Sequence, residues 1–142
     1  MATRENSLWK WLRKILKDAT YKNVLAMSRI ENSVGLGTPD VEGVFMKKAF
    51  WIELKQAELP VRETTPIRPK KFTDEQVHWL SKRWFLGTPT HVFIQIGTER
   101  FLIPGYKAKQ VQFGQTLSWY RKNSKVPGDC TPLMVLTAAA EC

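Results

Sequence analysis

The chain has 142 residues, enough for one domain that buries about 68–70% of its unfolded surface without staples. With 43% hydrophobic and 25% charged residues, 8 glycines and 8 prolines, a disordered, fibrous or low-complexity protein is excluded. Lys and Arg number 22 against 13 Asp and Glu, and a net charge of +9 favours a polyanionic partner, nucleic acid before membrane.

Residues 1–5 lack the apolar core of a signal peptide, and no apolar run reaches bilayer length. A cytoplasmic protein with no membrane partner is expected. Residues 5–18 predict a helix: Leu8, Trp9, Leu12, Ile15 and Leu16 recur at helical spacing, and Lys10, Arg13, Lys14 and Lys17 take the other faces. A turn at residues 21–23 leads to a strand predicted over 24–34, and Gly35, Gly37 and Pro39 supply turn chemistry. Residues 40–47 and 50–57 read as an antiparallel hairpin joined at Lys48-Ala49. Alternation along the second strand puts Phe50, Ile52 and Leu54 on one face and Trp51, Glu53 and Lys55 on the other.

Residues 58–72 hold three prolines and two basic patches, the composition of an exposed loop long enough to serve a function. A second helix begins at Thr73, where Gln76 completes a capping box and Asp74 and Glu75 suit the helix dipole. Val77, Leu80 and Trp84 form its apolar stripe, and Gly87 marks its end. Residues 91–97 and 99–103 predict two strands about a tight turn at Gly97-Thr98. Beyond Gly105 the pattern predicts a short helix at 115–123 and a strand at 133–137. Cys130 and Cys142 lack CxxC spacing and clustered histidines, so they read as thiols rather than as a zinc site or a disulfide.

The chemistry concentrates in Pro39-Asp40 and, twelve residues on, Glu53-Leu54-Lys55. Two carboxylates and an ammonium at the ends of adjacent strands form a set suited to Mg²⁺, which takes one or two carboxylates and keeps several waters. An ion so held polarises a phosphodiester and lowers the pKa of bound water, and a neighbouring lysine orients that water or meets the developing charge. No motif for a nucleotide cofactor accompanies the set.

Pro39-Asp40 and Glu53-Leu54-Lys55 together resemble the PD-(D/E)xK signature of the restriction-endonuclease-like nucleases. The surrounding Arg29-Ile30-Glu31-Asn32, Gly37-Thr38-Pro39-Asp40-Val41 and Trp51-Ile52-Glu53-Leu54-Lys55 are similar to small phage nucleases of the VRR-NUC and archaeal Holliday-junction-resolvase groups. Those groups place a glutamine early in the helix after the lysine strand, as Gln76 is here, then a glycine and an apolar strand, here Gly87 and His91 to Ile96. The resemblance covers residues 5–97.

It implies a single α/β nuclease domain over residues 1–142, a mixed central β-sheet flanked by helices in αβββαβ order. The core motif region spans 5–103 and a C-terminal extension spans 104–142. It further implies Mg²⁺, with Mn²⁺ as substitute, held by Asp40, Glu53 and the backbone carbonyl of Leu54. An acid from the first helix, Glu5, joins them, with Glu31 as its rival. Lys55 and Gln76 complete the catalytic set. The implied substrate is DNA, duplex or branched, cut by a homodimer, and a phage-encoded enzyme would act in the host cytoplasm.

Each residue also has a plainer role. Asp40 can shape a turn, Glu53 and Lys55 can be a solvated strand pair, Gln76 can serve only the capping box, and Glu5 can simply suit the helix dipole. Glu42 and Gln56 read as structural, and His78 as a helix-face residue. Arg62, Arg68, Lys70 and Lys71 are the candidates for DNA phosphate contacts. Two rivals to a nuclease remain: a DNA-binding module of the same fold that has lost catalysis, and a basic phage accessory protein that binds an acidic protein partner.

Overall fold

A computed structural model describes residues 4–30 and 37–141, with side chains from Ser7 onward in the first of these segments. Helix α1 (Arg4–Arg13) continues as a 3-10 turn over Lys14–Lys17, and strand β1 (Leu25–Arg29) follows a second 3-10 turn at Ala19–Tyr21. Strands β2 (Val41–Phe45) and β3 (Lys48–Ala57), helix α2 (Asp74–Phe85), and strands β4 (Thr90–Ile96) and β5 (Glu99–Pro104) come next. Helices α3 (Ala108–Phe113), α4 (Leu117–Asn123) and α5 (Pro132–Ala140) close the chain.

The five strands form one sheet in sequence order. Its pairs are antiparallel except β3 with β4, which run parallel because α2 lies between them. The sheet is therefore mixed, with helices on both faces, as expected of the αβββαβ core. On one face Leu8, Leu12 and Ile15 from the α1 region and Val135 and Leu136 from α5 cover Val41, Phe50, Ile52, Leu54, Phe93 and Leu102. On the other, Val77 and Leu80 of α2, Val111 of α3 and Tyr120 of α4 cover Val92, Ile94, Phe101 and Ile103. Residues 108–140 thus supply buried side chains to both faces. Among the described residues no helix is long and apolar enough to cross a membrane.

Four sequence expectations are corrected. The hairpin turn lies at Met46-Lys47, not Lys48-Ala49, and both residues have positive φ, 52° and 70°. That is the two-residue turn whose twist matches the flanking strands; no Asn-Gly or Asp-Gly pair advertised it. The strand at 133–137 is instead the middle of α5. Thr131 caps that helix by accepting from the Met134 N–H, and Pro132 occupies its first turn. The first strand is shorter than residues 24–34, ending at Arg29, and residues 31–34 of that expectation lie outside the described residues. The loop over 58–72 is less exposed than its composition implies, since Ile67, Pro69 and Phe72 are buried.

Candidate active site

Strand β3 positions the site because it alone pairs with β2 on one side and β4 on the other. The β2–β3 register pairs Val41 with Ile52, so continuing it by one step sets Asp40 opposite Glu53. Asp40 precedes a strand whose Val41 is buried against α1 and α5, and alternation turns Asp40 to the other face, with Glu53 and Lys55. Beyond Ile52 the β2 edge of β3 has no strand partner in this pairing. There the Leu54 N–H donates to Asp40 Oδ2 at 2.9 Å. Both main-chain groups of a strand residue open to the same edge, so the Leu54 carbonyl faces the side on which Asp40 sits.

The approach to Asp40 depends on a close backbone contact. Gly37 has φ +86°, and a Cβ added there would fall 2.3 Å from the Glu75 carbonyl oxygen in the first turn of α2. Only glycine lets the 37–40 segment lie this close to the helix.

Helix α2 completes the arrangement through Gln76. Its backbone N–H donates to Thr73 Oγ1 at 3.2 Å, and its Oε1 accepts from the Thr73 N–H at 3.0 Å. The same Oε1 accepts from Lys55 Nζ at 3.1 Å, and Nε2 donates to Glu53 Oε2 at 3.1 Å. The capping partner and the site residue are one side chain. Lys55 Nζ also donates to the Lys71 carbonyl at 3.1 Å, lies 3.3 Å from Glu53 Oε2, and sits 5.0 Å from the centre of the Phe72 ring. Three oxygens and an aromatic face therefore hold the ammonium in a single orientation.

Glu53 is 2% exposed, and its Oε1 has no hydrogen-bond partner among the described residues. Burial, and then the neighbouring Asp40 charge, push its carboxyl up to about 8 against the opposing pull of Lys55. An orphaned buried oxygen beside a second carboxylate is a costly arrangement in the protein alone. A small divalent cation fits it: Asp40, Glu53 Oε1 and the Leu54 carbonyl are hard oxygen donors on one edge, and two carboxylates meet the needs of Mg²⁺. Among the described residues no group of three or more His, Cys, Asp or Glu gathers. Glu31 and the Glu5 side chain lie outside the described residues.

The remaining candidates separate cleanly. Glu42 faces the same side as Glu53, but its carboxylate is engaged by the Ser28 hydroxyl at 2.7 Å. His78 is exposed on α2, and His91 is fully buried with Nε2 donating to the Ala139 carbonyl at 2.9 Å. Lys55, Arg68, Lys70 and Lys71 line one cleft of about 620 Å³, with Glu58 as its single carboxylate; Arg62 is exposed but outside that lining. Sequence reasoning missed the Lys71 carbonyl and the Phe72 ring as partners of Lys55. Lys71 has φ 59°, a left-handed conformation that its residue type does not signal.

No family model matches the chain, and no curated protein does. Among solved structures it is similar to the Holliday junction resolvase of Archaeoglobus fulgidus, an archaeal hyperthermophile, with a TM-score of 0.54 and 16% sequence identity. The match covers 92% of this chain and 98% of the resolvase. The likeness spans the sheet and its helices, and the chain has the restriction-endonuclease-like α/β fold.

Proposed function

We propose that this protein is a metal-dependent nuclease that hydrolyses DNA phosphodiester bonds, with Mg²⁺ as its cofactor, Mn²⁺ as substitute and branched DNA as its substrate. One observation carries the proposal: Glu53 is buried with one oxygen fixed by Gln76 and Lys55 and the other left without a partner beside Asp40. A fold shared with a Holliday junction resolvase supports it.

In this reading Asp40, Glu53 and the Leu54 carbonyl hold the cation. When bound, it would polarise the scissile phosphate and lower the pKa of a coordinated water. Lys55, with its three N–H groups held by three acceptors, would set a fixed positive charge beside the attacking water and the non-bridging phosphate oxygen whose charge is growing. Gln76 fixes both Lys55 and Glu53, so neither needs to reorganise during reaction. Water oxygen would bond to phosphorus as its proton passes to solvent, and as the P–O bond to the leaving sugar breaks the leaving oxygen would take a proton from solvent. Arg62, Arg68, Lys70 and Lys71 hold the DNA backbone without reading bases. A homodimer would set two such sites against the two strands of a junction.

Supercoiled plasmid and a synthetic four-way junction, each incubated with Mg²⁺, Mn²⁺ or EDTA, test the proposal. The wild type is expected to cut in either metal and not in EDTA. Lys55→Ala and Asp40→Ala should each lose about 100-fold or more in rate. Intact substrates in both metals would leave the inactive DNA-binding module; unchanged cleavage by both variants would place the chemistry elsewhere.

A further inference from the structure

Residues 66–72 are fastened along their length by the C-terminal helices. Ile67 and Gln115 exchange main-chain hydrogen bonds of 2.7 and 3.1 Å, and the Ile67 carbonyl also accepts the buried Tyr120 hydroxyl at 2.9 Å. At the other end, Gln112 Nε2 donates to the Phe72 carbonyl at 3.0 Å and to Asp74 Oδ1 at 2.8 Å, while Lys55 holds the Lys71 carbonyl at 3.1 Å. The turn into α4 abuts the same segment: a Cβ added at Gly114 would meet Pro66 at 3.4 Å and Arg68 at 3.6 Å.

This pinning has a regular outcome. Ile67, Pro69 and Phe72 are buried, whereas Arg68, Lys70 and Lys71 are exposed. Lys70 and Lys71 lie in a turn, Lys71 with φ 59°, so the three cations stand on a short fixed stretch just ahead of α2. The cations border the cleft that has Lys55 in its wall, where Lys55, Arg68, Lys70 and Lys71 face one carboxylate, Glu58.

We propose that residues 66–72 form a track for the phosphodiester backbone of the strand being cut. Arg68 and Lys70 take phosphates beside the one at Lys55, and Tyr120 and Gln112 are the positioning residues that hold the track in place. The inference rests on the nuclease reading of the Asp40, Glu53 and Lys55 site. It gives α3 and α4 a part in substrate binding, although neither reaches the catalytic residues. Charges on a pinned segment lose less freedom on binding than charges on a floppy loop, and contact through phosphates alone makes the track indifferent to sequence.

Fluorescence anisotropy with a short labelled single strand and its duplex, in EDTA and across a range of KCl, provides the test. Arg68→Ala with Lys70→Ala should reduce the slope of log affinity against log salt by about 1.5, the loss of two phosphate contacts. Tyr120→Phe keeps the ring and removes only the hydroxyl; it and Gln112→Ala should each weaken binding several-fold in the wild-type background. Neither should weaken it further once Arg68 and Lys70 are replaced, a coupling that general loosening of the fold would not produce. In cleavage assays both positioning variants should raise KM and leave kcat near wild type. Full additivity of the losses, or an unaltered salt slope, overturns the track while leaving cleavage to be judged separately. Coupled binding without cleavage in either metal keeps a backbone track and overturns the nuclease reading.

Discussion

Lys55, Glu53 and Gln76 each contact the other two, so replacing one redistributes the hydrogen bonds of the remaining pair. Gln76 Oε1 serves the Thr73 N–H and Lys55 Nζ together, and Nε2 is the donor on Glu53 Oε2. Gln76→Glu keeps an acceptor for the cap and places negative charge where the helix dipole welcomes it. It also turns the donor on Glu53 into a second carboxylate against it. We predict that α2 stays folded by circular dichroism while cleavage falls about 10–100-fold, the usual effect of losing a ligand's supporting contact. Thr73→Ala is the matched control, costing about 1 kcal/mol in urea unfolding with a smaller effect on rate. A Gln76→Glu enzyme that cuts at the wild-type rate would reduce Gln76 to a capping residue. The common face of Asp40, Glu53 and Lys55 was legible in the sequence from strand parity, but the register that sets Asp40 opposite Glu53 was not, because a turn at Lys48-Ala49 would have set it opposite Ala57. The Lys71 carbonyl was not, because a backbone acceptor carries no residue-type signal, and the engagement of Glu42 by Ser28 depends on the β1–β2 register.

Helix α5 shows where local pattern stops being informative. Leu133 to Thr137 is a short apolar run, and periodicity cannot separate a buried strand from a buried helix over five residues. The deciding signals flank it: Thr131 and Pro132 start a helix, and Ala138 to Ala140 continue one. The buried His91 on β4 ties that helix to the sheet through the Ala139 carbonyl, which can only accept, so Nε2 carries the proton and Nδ1 is left bare and unpartnered among the described residues. Burial drives the His91 pKa down from 6.5 to about 3. The folded protein keeps the ring neutral where the unfolded chain protonates it, so its contribution is complete above about pH 6.5 and is lost as pH falls toward 3. The loss reaches at most about 1.4 kcal/mol per pH unit within that window. His91→Gln retains a donor for Ala139 but cannot titrate. Denaturant unfolding from pH 7 to pH 4 should show the wild type losing stability faster than the variant; parallel curves would contradict the buried neutral ring.

At the scale of the molecule, the order of elements up to β5 followed from alternating strands, one capped helix and glycine turns, all short-range signals. Their assembly brings the site and the basic cleft to the carboxyl end of the parallel β3–β4 pair, where open α/β sheets place their ligands. The part played by α3, α4 and α5 in the core was not legible, because each is a short helix whose partners lie far away in sequence. The net charge of +9 was legible, but not that three of the cations stand on a pinned segment beside Lys55. Central to the proposed function is one divalent cation held between Asp40 and Glu53. Electron paramagnetic resonance of free Mn²⁺, titrated with metal-free protein at pH 8, measures that directly. The account predicts one Mn²⁺ bound per wild-type chain, displaced by Mg²⁺, with affinity at least about tenfold weaker in Asp40→Asn and in Glu53→Gln. Binding of equal strength in both variants, or no binding by a folded wild type even with uncut DNA present, would contradict it.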